Sequence, residues 1–528
     1  MDLSRRDFAK TAVLGVGAAG LLGACGGSSA PASNPVAGNS KPKRGGTLRA
    51  AITGGSGSDT LNPLNAITNA DFSRVNNLYE PLVGLTAAAQ PEFILAEELT
   101  PNAKATQWTL RIKPGITFHS GKQLTADDVI YTFRTILNPQ THAAAAAGLA
   151  SIDAAGMRKL DSRTVLIPCK TPFASLQEAL AIPGYSSIIP VGFNPKAPVG
   201  TGPFKLKNFT PTWQPGWQRP RAQSTFLRYD GYWQSGLPYL DEVVITDYND
   251  ETSQVNSLFA GKEDVVNLLS ADVIYEVQGQ GKQILISEGG GWNPFTMRVD
   301  LPPFNDARVR QAMRLLVDRQ QILDLVFGGH GTIGNDVFGI WAPEYDHSLP
   351  QRQQDIGQAK SLLRAAGHDT LAVQLVTADI AQGTVRAAQV FAQQASQAGI
   401  TVNLRTVPVS EFYGTSYLKW VLAQDYWYYN FYLPQVSLAT LPPAPFNETH
   451  FHNPAYDALY QQAIATVDAS KRTELAREMQ RIDYDDGGYI IPFFPPVIDG
   501  YGTNVHGLIP FKGGLSLNGY NFSRVWLS

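Results

Sequence analysis

One stretch in the second half of the chain limits the folds that are open to it. Residues 371–376 read as a strand, residues 384–398 as a helix and residues 400–407 as a second strand. Segments of these lengths in this order form a right-handed crossover between two parallel strands. Parallel strands need helices packed on their sheet, so at least one part of the protein is predicted to be a layered α/β structure.

Patterns elsewhere extend the mixed α and β prediction and divide the chain into two halves. Short strands are expected at residues 47–52 and 108–112, and Thr125 is the expected N-cap of a helix with one apolar face, made by Val129, Phe133 and Ile136. The second half is richer in helices, expected at residues 305–317, from residue 318 onward and at residues 454–485. The turn-forming triplet Gly289-Gly290-Gly291 is expected to separate the halves and to act as a hinge.

The first 25 residues carry the features of an export signal. Arg5-Arg6 precede a short apolar run at residues 12–22, and Leu22-Gly23-Ala24-Cys25 follows. The paired arginines resemble a twin-arginine signal and the Cys-terminated run resembles a bacterial lipobox, which implies that Cys25 is lipidated and anchors the chain to a membrane. Residues 1–24 are then the signal peptide and residues 25–44, rich in Gly, Ser and Pro, a flexible linker. The alternative is a buried helix that ends in a chance cysteine.

Charge and composition exclude several classes of protein. The chain has 528 residues, with 42 Lys and Arg against 45 Asp and Glu and a net charge of -3. Nucleic-acid binders concentrate basic residues to displace counterions, so nucleic acid is not predicted as a partner. After the signal no run approaches the ~20 apolar residues of a membrane-spanning helix. Cys25 and Cys169 are the two cysteines, and no internal disulfide is expected once Cys25 is modified.

Motifs for catalysis, metals and cofactors are weak in this sequence. No nucleophile elbow, zinc-protease helix, Cys-x-x-Cys pair or phosphate loop occurs, so no catalytic residue, metal ligand or cofactor is predicted. Residues 329–334 match Gly-x-Gly-x-x-Gly but follow a helical pattern, which favours a loop over a dinucleotide site. His450 and His452 lack acidic or Cys partners at ligand spacing, so a surface loop is favoured over a metal site. A Ser-His-Asp triad is spatial and stays open.

Aromatic side chains are the positive signal for a binding function. Seven of them crowd one short segment: Trp420, Tyr426, Trp427, Tyr428, Tyr429, Phe431 and Tyr432. Aromatic walls with a few polar groups are how proteins hold small ligands. The same rings would also suit a strand that packs into a core, and the pattern leaves both interpretations open.

Four other runs stand out, at residues 79–83 (Tyr-Glu-Pro-Leu-Val), 110–129, 200–204 (Gly-Thr-Gly-Pro-Phe) and 303–312. Together they resemble the family 5 extracellular solute-binding proteins, which include the dipeptide- and oligopeptide-binding proteins of ABC importers. The resemblance runs from about Gly45 to the C-terminus. It implies a two-lobed α/β fold of the type II periplasmic-binding class, whose lobes close by hinge motion on a ligand between them.

The resemblance also implies domain boundaries. Lobe I is expected to comprise residues 45–70, 200–290 and 490–528. An extra subdomain inserted in it is expected at residues 71–199, and lobe II at residues 291–489.

A binding site follows from the resemblance as well. In the peptide binders of this family a Trp-x-x-Asp run lines the cleft, and its Asp pairs with the α-ammonium group of the ligand. The matching run here is Trp427-Tyr428-Tyr429-Asn430. Trp427 and Tyr428 are therefore predicted to line the cleft. Asn430 offers a hydrogen bond but no charge, so this protein is expected to hold a free peptide amine less well than its relatives.

Three residues outside that run are further candidates for ligand contact. Trp292 and Asn293 follow the glycine triplet and are predicted near the cleft. Arg298 stands where many relatives carry a neutral residue. It is predicted either to bind a carboxylate or phosphate in the cleft or to be a solvated arginine on a strand edge.

The predicted function is solute binding for an ABC importer. A monomer at the outer face of the cytoplasmic membrane or in the periplasm would bind a peptide-like small molecule and pass it to permease subunits. Members of the family also bind sugars, opines and nickel complexes, so a non-peptide solute is an alternative. Two other hypotheses are an exported hydrolase, with a nucleophile or carboxylate pair in the cleft, and a receptor that only senses its ligand.

Overall fold

The computed structural model describes residues 41–54, 59–183, 186–211 and 222–528. The predicted signal peptide, Cys25 and the linker up to residue 40 lie outside the described residues. The strands, in chain order, are β1 Thr47–Thr53, β2 Val83–Leu85, β3 Pro91–Phe93, β4 Ala96–Pro101, β5 Gln107–Ile112, β6 Arg158–Lys159, β7 Thr164–Pro168, β8 Phe204–Thr210, β9 Gln223–Arg228, β10 Glu242–Tyr248, β11 Val265–Val266, β12 Gln283–Glu288, β13 Phe295–Met297, β14 Thr332–Ile333, β15 Leu371–Thr377, β16 Ile400–Thr406, β17 Leu422–Gln424, β18 Tyr489–Ile490, β19 Phe493–Phe494, β20 Pro496–Tyr501, β21 Val505–His506 and β22 Trp526–Leu527.

The α-helices lie mostly between the strands of the second half. In chain order they are α1 Asn69–Leu78, α2 Ala126–Ile136, α3 Leu176–Leu180, α4 Glu251–Phe259, α5 Ile274–Gly279, α6 Ala307–Leu315, α7 Arg319–Phe327, α8 Ile356–Ala365, α9 Thr384–Gln397, α10 Val409–Phe412, α11 Tyr432–Ala439, α12 Pro454–Ala465 and α13 Ala469–Asp486. Asp306 and Asp318 accept hydrogen bonds from the first turns of α6 and α7, which confirms both predicted helix starts. No helix in the described part of the chain is both long and apolar enough to span a membrane.

A seven-stranded sheet forms the core of lobe I. Its strand order is β12-β20-β11-β1-β10-β9-β8. The central strand β1 runs parallel to β10 and β11, and Leu48, Ala50 and Ile52 of β1 are fully buried. All seven strands fall in the three segments predicted for lobe I. However, α1 begins at Asn69 and packs against β1 and β8, so a boundary at residue 71 would cut a helix that covers this sheet.

A five-stranded sheet, in the order β16-β15-β17-β13-β18, forms the core of lobe II. Strands β15 and β16 are parallel in register from Leu371 opposite Ile400 to Thr377 opposite Thr406. Helix α9 connects them and packs on both, which confirms the predicted crossover. The sheet continues through β17, which is parallel to β15, to the antiparallel strand β13.

A smaller four-stranded sheet, β4-β5-β7-β6, lies within the segment predicted as an inserted subdomain. Helix α2 packs on it at β6 and β7. The predicted cap of α2 is confirmed, because Thr125 and Asp128 form a reciprocal capping box. The predicted apolar face of this helix is buried as well, through Val129, Phe133 and Ile136.

The chain passes between the two large sheets in the segments 289–294 and 491–495. The glycine triplet lies in the first of these, but none of its residues has a positive φ, so a turn does not require them. A Cβ on Gly290 would instead come within 2.4 Å of Cδ2 of Tyr429, and one on Gly291 within 3.0 Å of the Trp427 carbonyl oxygen. Gly290 and Gly291 leave no room for a side chain because segment 427–429 packs directly against them. The role of the triplet as a hinge stays a prediction.

Three of the four runs that carry the family resemblance meet at one junction. The imidazole of His119 accepts a hydrogen bond from the Gly200 N–H at Nδ1 (3.2 Å) and its Nε2 lies 3.0 Å from the Gly202 carbonyl oxygen. Burial lowers the pKa of His119 to about 4, consistent with a neutral ring that holds its proton on Nε2. Gly202 N donates to the Leu78 carbonyl (3.0 Å), and the neighbouring Glu80 carboxylate accepts from Tyr232 and Trp233. These runs build the scaffold of lobe I.

Candidate functional site

The carboxyl edges of the parallel strands of both sheets face one another. In lobe I, β1 and β11 end at Thr53 and Val266, and in lobe II, β15 and β17 end at Thr377 and Gln424. Ligands of open α/β sheets bind just beyond such carboxyl ends. We call the space between segments 53–54 and 267–271 of lobe I and segments 378–383 and 425–430 of lobe II the interlobe cleft.

Direct contacts already join the two sides of the interlobe cleft. Gln382 donates from Nε2 to the Leu269 carbonyl (2.6 Å), and Arg386 pairs with Asp272 across 3.1 Å. The hydroxyl of Tyr428 donates to the Ile67 carbonyl over 3.4 Å. The two carboxyl edges are therefore in contact, as expected for lobes closed on one another.

The lobe I side of the cleft presents a fixed polar network centred on Asn267. This side chain is fully buried. Its Oδ1 accepts from the Thr53 N–H (2.7 Å) and from Gln254 (2.9 Å), and its Nδ2 donates to the Tyr520 hydroxyl (2.8 Å). The Tyr520 hydroxyl in turn donates to Asn69 at the start of α1. Every member is hydrogen-bonded, so the network orders this edge.

Trp427 and Trp292, both predicted as ligand contacts, lie side by side. Their backbones pair through two hydrogen bonds of 2.8 and 3.0 Å, and their rings stack with centroids 5.8 Å apart. Trp292 is fully buried and also stacks on Phe338 at 5.2 Å. Trp427 is only half-buried and lies at the exposed end of this stack. The structure thus places Trp292 behind Trp427, and the contact of either with a ligand stays a prediction.

Tyr428 points the other way, toward lobe I. Its ring meets the edge of Phe72 with centroids 5.9 Å apart. The rings of the aromatic segment fall into two groups. Tyr429, Phe431 and Tyr432 are fully buried and pack in the core. Tyr426, Trp427 and Tyr428 are half-buried at the cleft edge, where a ligand wall was predicted.

Asn430 and Asn293 are both buried next to this edge. Asn430 is 7% exposed, and its Oδ1 accepts the Phe431 N–H at 2.8 Å, which places the amide at the start of α11. Asn293 donates from Nδ2 to the Gln382 carbonyl at 3.4 Å. The structure brings Asn293 to the segment that crosses the cleft, and the predicted ligand contacts of both residues stay predictions.

Arg298 is held by partners within the chain. Its guanidinium forms a bidentate pair with Asp300 at 2.8 and 2.7 Å and donates to the Leu418 carbonyl at 3.3 Å. His450 also lies 3.0 Å from that carbonyl oxygen. At 8% exposure Arg298 is not a solvated arginine. It fastens the loop around Leu418, which has an uncommon positive φ of 63°.

Two acidic residues that the sequence analysis did not single out form a buried pair beside this loop. Asp425 follows β17 directly and is 2% exposed, and Glu448 is 5% exposed. The Asp425 carboxylate accepts from the Tyr413 hydroxyl (2.5 Å) and the Tyr426 N–H (2.8 Å). Asp425, the Trp427 indole and the Tyr489 hydroxyl lie next to Glu448, but within the described part of the chain neither Glu448 oxygen has a hydrogen bond of good geometry.

Burial raises the pKa of both carboxyl groups. For Glu448 burial acts first, and the neighbouring charge of Asp425 raises the pKa further, well above the ordinary value for glutamate. For Asp425 burial likewise outweighs the hydrogen bond from Tyr413. Two carboxyl groups this close titrate as a pair. An acidic residue at the end of a strand, just before an aromatic run, was an available signal for Asp425, but Glu448 had none.

A second candidate cavity lies apart from the cleft. Its volume is about 510 Å³, within the range of small-molecule sites, and it opens between the start of the inserted subdomain and the C-terminal segment. Tyr79, Glu80, Lys113, Trp233 and Phe511 are among its lining residues, and none of the six predicted ligand contacts borders it. Its acidic group, Glu80, is already bonded to Tyr232 and Trp233. The facing strand ends therefore make the cleft the stronger candidate.

The histidine pair does not converge. His450 lies 3.5 Å from Asp300 whereas His452 lies 3.1 Å from Asp457. Among the described residues, no group of three or more His, Cys, Asp or Glu side chains is arranged to hold a metal ion.

Comparison with known proteins agrees with this architecture. The family model for "Bacterial extracellular solute-binding proteins, family 5 Middle" matches residues 90–457. The chain belongs to this solute-binding family. The family consists of substrate-binding proteins and not of enzymes.

Individual relatives of this solute-binding protein are distant but cover nearly its whole length. It is 24% identical over 495 residues to the glutathione-binding protein GsiB of Salmonella typhi, covering 86% of this chain and 90% of GsiB. The oligopeptide-binding protein AppA of Bacillus subtilis, solved with a nonapeptide, superposes with a TM-score of 0.73 at 22% identity, over 92% of this chain and 100% of AppA. The binding protein AgaA of A. tumefaciens R10, solved with agropinic acid, gives 0.74 at 23%, over 92% and 99%. The two-lobed type II fold is confirmed.

Glu448→Gln is expected to stabilise this solute-binding protein at pH 8 by about 1–3 kcal/mol, because it removes a buried acidic group that has no hydrogen bond of good geometry. The raised pKa means that the folded state keeps the Glu448 proton after the unfolded chain has lost it. The stability contribution of Glu448 is therefore full below about pH 4.3 and is lost as the pH rises. Urea denaturation at pH 5 and pH 8 should show a gain for the variant that grows with pH. An equal loss of stability at both values would contradict this account.

Proposed function

We propose that this protein captures a peptide or peptide-like solute in the interlobe cleft and delivers it to the permease subunits of an ABC importer. The observation that carries the proposal is that the carboxyl ends of the parallel strands of the two lobes face one another in a chain of the solute-binding family. Aromatic rings and buried polar side chains line the lobe II side of this cleft. The ligand would be enclosed where Tyr428 and Gln382 of lobe II approach Ile67 and Leu269 of lobe I.

The names of the relatives support a peptide-like ligand and leave room for another solute. GsiB is a glutathione-binding protein, and AppA was solved with a nonapeptide, whereas AgaA was solved with agropinic acid. Peptide-like solutes are favoured because two of these three bind peptides. A non-peptide solute is the alternative.

The location we propose is the outer face of the cytoplasmic membrane or the periplasm. Arg5-Arg6 and the run that ends at Cys25 support a twin-arginine lipoprotein signal. A lipid on Cys25 would hold the folded protein near the permease through the Gly-, Ser- and Pro-rich linker.

A ligand that closes the cleft is expected to stabilise the protein, and Trp427→Ala is expected to remove most of that effect. At 100 times Kd a ligand adds about 2.7 kcal/mol, which a thermal-shift screen of tripeptides, opines and oligosaccharides would detect. In Trp427→Ala the same ligand should bind at least tenfold more weakly, because the half-buried ring at the cleft edge is lost.

Tyr275→Ala is the matched control for the loss of an aromatic ring, since Tyr275 lies on α5 of lobe I and is 85% exposed. This variant should bind as the unmodified protein does. Equal affinities in all three proteins would show that Trp427 does not line the ligand site, and a folded protein that no solute stabilises would contradict the proposed function.

A further inference from the structure

A small pocket in lobe II holds the acidic pair and opens beside the aromatic segment. Its volume is about 10 Å³, and Asp425 and Glu448 line it together with Phe412, Tyr417, Leu418 and Trp420. Tyr417, Leu418 and Trp420 are half-exposed, so the rim of the pocket reaches solvent while its acidic floor is buried. The indole of Trp427 and the phenol of Tyr489 lie beside Glu448, which connects the pocket to the aromatic wall of the interlobe cleft.

The floor of the pocket holds two acidic side chains that no basic residue accompanies. Over the described ranges of the chain, neither Asp425 nor Glu448 forms an ion pair with Lys, Arg or His. Both oxygens of Glu448 lack a hydrogen bond of good geometry there, and so does Nε1 of Trp427, although the indole lies close enough to Glu448 to lower the pKa of its carboxyl group. Burying a carboxyl group without a well-formed hydrogen bond is costly. Its position at the carboxyl edge of a binding lobe indicates that a bound group completes it.

The walls are suited to a cation. Trp420 and Tyr417 both contact the Phe412 ring, with centroids 6.3 Å away in each case. Aromatic faces attract ammonium groups through the ring quadrupole, most strongly where the cation is desolvated. The loop that carries these rings is fastened at Leu418 by Arg298 and His450, so the cage is formed before a ligand arrives.

The size of the pocket selects among cations. A space of about 10 Å³ accommodates about one water-sized group. An ammonium head has that size, whereas a planar guanidinium is larger. We propose that this pocket is a subsite for one primary ammonium group of the solute, with Glu448 and Asp425 as counter-charges and Tyr417 and Trp420 as walls.

The proposed subsite lies at a different position of lobe II from the acidic residue that binds the ligand amine in the peptide binders of the family. Residue 430, where the resemblance implies an acidic partner for a ligand amine, is a buried asparagine bonded to its own backbone neighbour. Asp425 lies five residues earlier, at the end of β17, and supplies the missing charge together with Glu448. This inference rests on the proposed function for the ligand that brings the amine, but the pocket itself is testable with a simple ammonium salt.

The first experiment titrates propylammonium chloride and its neutral counterpart 1-propanol into the full mature chain and follows tryptophan fluorescence, since Trp420 lines the pocket. Propylammonium is expected to saturate the signal at a concentration at least tenfold lower than 1-propanol. The difference should disappear in Glu448→Gln and in Asp425→Asn. Glu263→Gln is the control, because Glu263 is a buried lobe I glutamate that also has one unpartnered oxygen, and this variant should keep the difference.

The second experiment equilibrates the protein with a tripeptide library and with the same library after acetylation of its amines, and identifies bound species by native mass spectrometry. Free-amine peptides are expected to be retained at least tenfold more than acetylated ones, and Glu448→Gln should lose this preference. Equal effects of propylammonium and 1-propanol would overturn the subsite and leave a water site. Binding of propylammonium without any peptide would keep the subsite and overturn the proposed peptide ligand. Amine preference that survives both substitutions would overturn the subsite alone.

Discussion

Gly200→Ala is expected to cost about 4 kcal/mol or more of folding stability, or to prevent folding. A Cβ at this position would lie 1.9 Å from the Leu78 carbonyl oxygen and 2.7 Å from the Tyr79 ring. Neither partner can retreat, because the Leu78 carbonyl accepts the Gly202 N–H at 3.0 Å and the Gly200 backbone is bonded to both His119 N and His119 Nδ1. The loss would be measured as soluble yield and, for soluble protein, as the urea midpoint.

Gly279→Ala is the matched control for this prediction. Gly279 is exposed at the end of α5, and no heavy atom of the described chain lies within 4 Å of the Cβ that alanine would add. Alanine is the better helix former there and restricts the unfolded chain, so a gain of about 0.5–1 kcal/mol is expected. Equal stability of Gly200→Ala and Gly279→Ala would contradict the close approach at the junction.

Asp336→Asn is expected to destabilise lobe II by about 3–5 kcal/mol at pH 7, because it leaves two arginines without their shared counter-charge. Oδ2 of Asp336 accepts from Arg319 and from Arg352, each at 2.8 Å, and Oδ1 accepts the Ile491 N–H at 3.0 Å. Asp336 is 2% exposed and has a φ of 62°, which asparagine also tolerates. The substitution therefore removes charge with little change of shape, and a shift of the urea midpoint would measure its effect.

The pH dependence gives this prediction a second readout. Burial alone would raise the pKa of Asp336, but Arg319 and Arg352 outweigh it and hold the pKa below its ordinary value. The contribution of this carboxylate is therefore present above about pH 3.9 and is lost as the pH falls, so the variant and the unmodified protein should converge in acid. Asp230→Asn, which breaks an exposed pair with Arg228, should cost less than about 1 kcal/mol at any pH. A similar small effect at Asp336 would contradict the role assigned to the network.

Local sequence predicted the elements that are held by local forces. The cap formed by Thr125 and Asp128, the helix starts at Asp306 and Asp318, and the crossover of β15, α9 and β16 depend on residues within a few positions of one another. The predicted export signal would be local in the same sense, since it is a linear pattern made by Arg5-Arg6 and Cys25. The runs that resemble the family were equally visible, although three of them turned out to build the lobe I junction.

The composition of the candidate site depended on folding. Asp425 and Glu448 are 23 positions apart, and the Asn267 network joins β1, α4, the end of β11 and the C-terminal Tyr520. No periodicity in the sequence predicts contacts between residues this far apart, because these residues meet only when the strands and loops that carry them are packed together. Arg298 is a different case. The sequence made it a candidate for binding an anionic ligand group, but in the structure it forms an ion pair with Asp300, two residues away.

Sequence was therefore sufficient for the α/β class, the two halves and the position of the aromatic segment, which follow from short-range periodicity and linear motifs. The export signal stays a prediction. The packing of the two lobes determined which rings lie in the core and which lie at the cleft. It also explains why residues 289–291 have no side chains and where the acidic pair is buried. These properties depend on how deeply each side chain is buried. Burial is set by the residues that the tertiary structure packs around a side chain, and not by the identity of that residue alone.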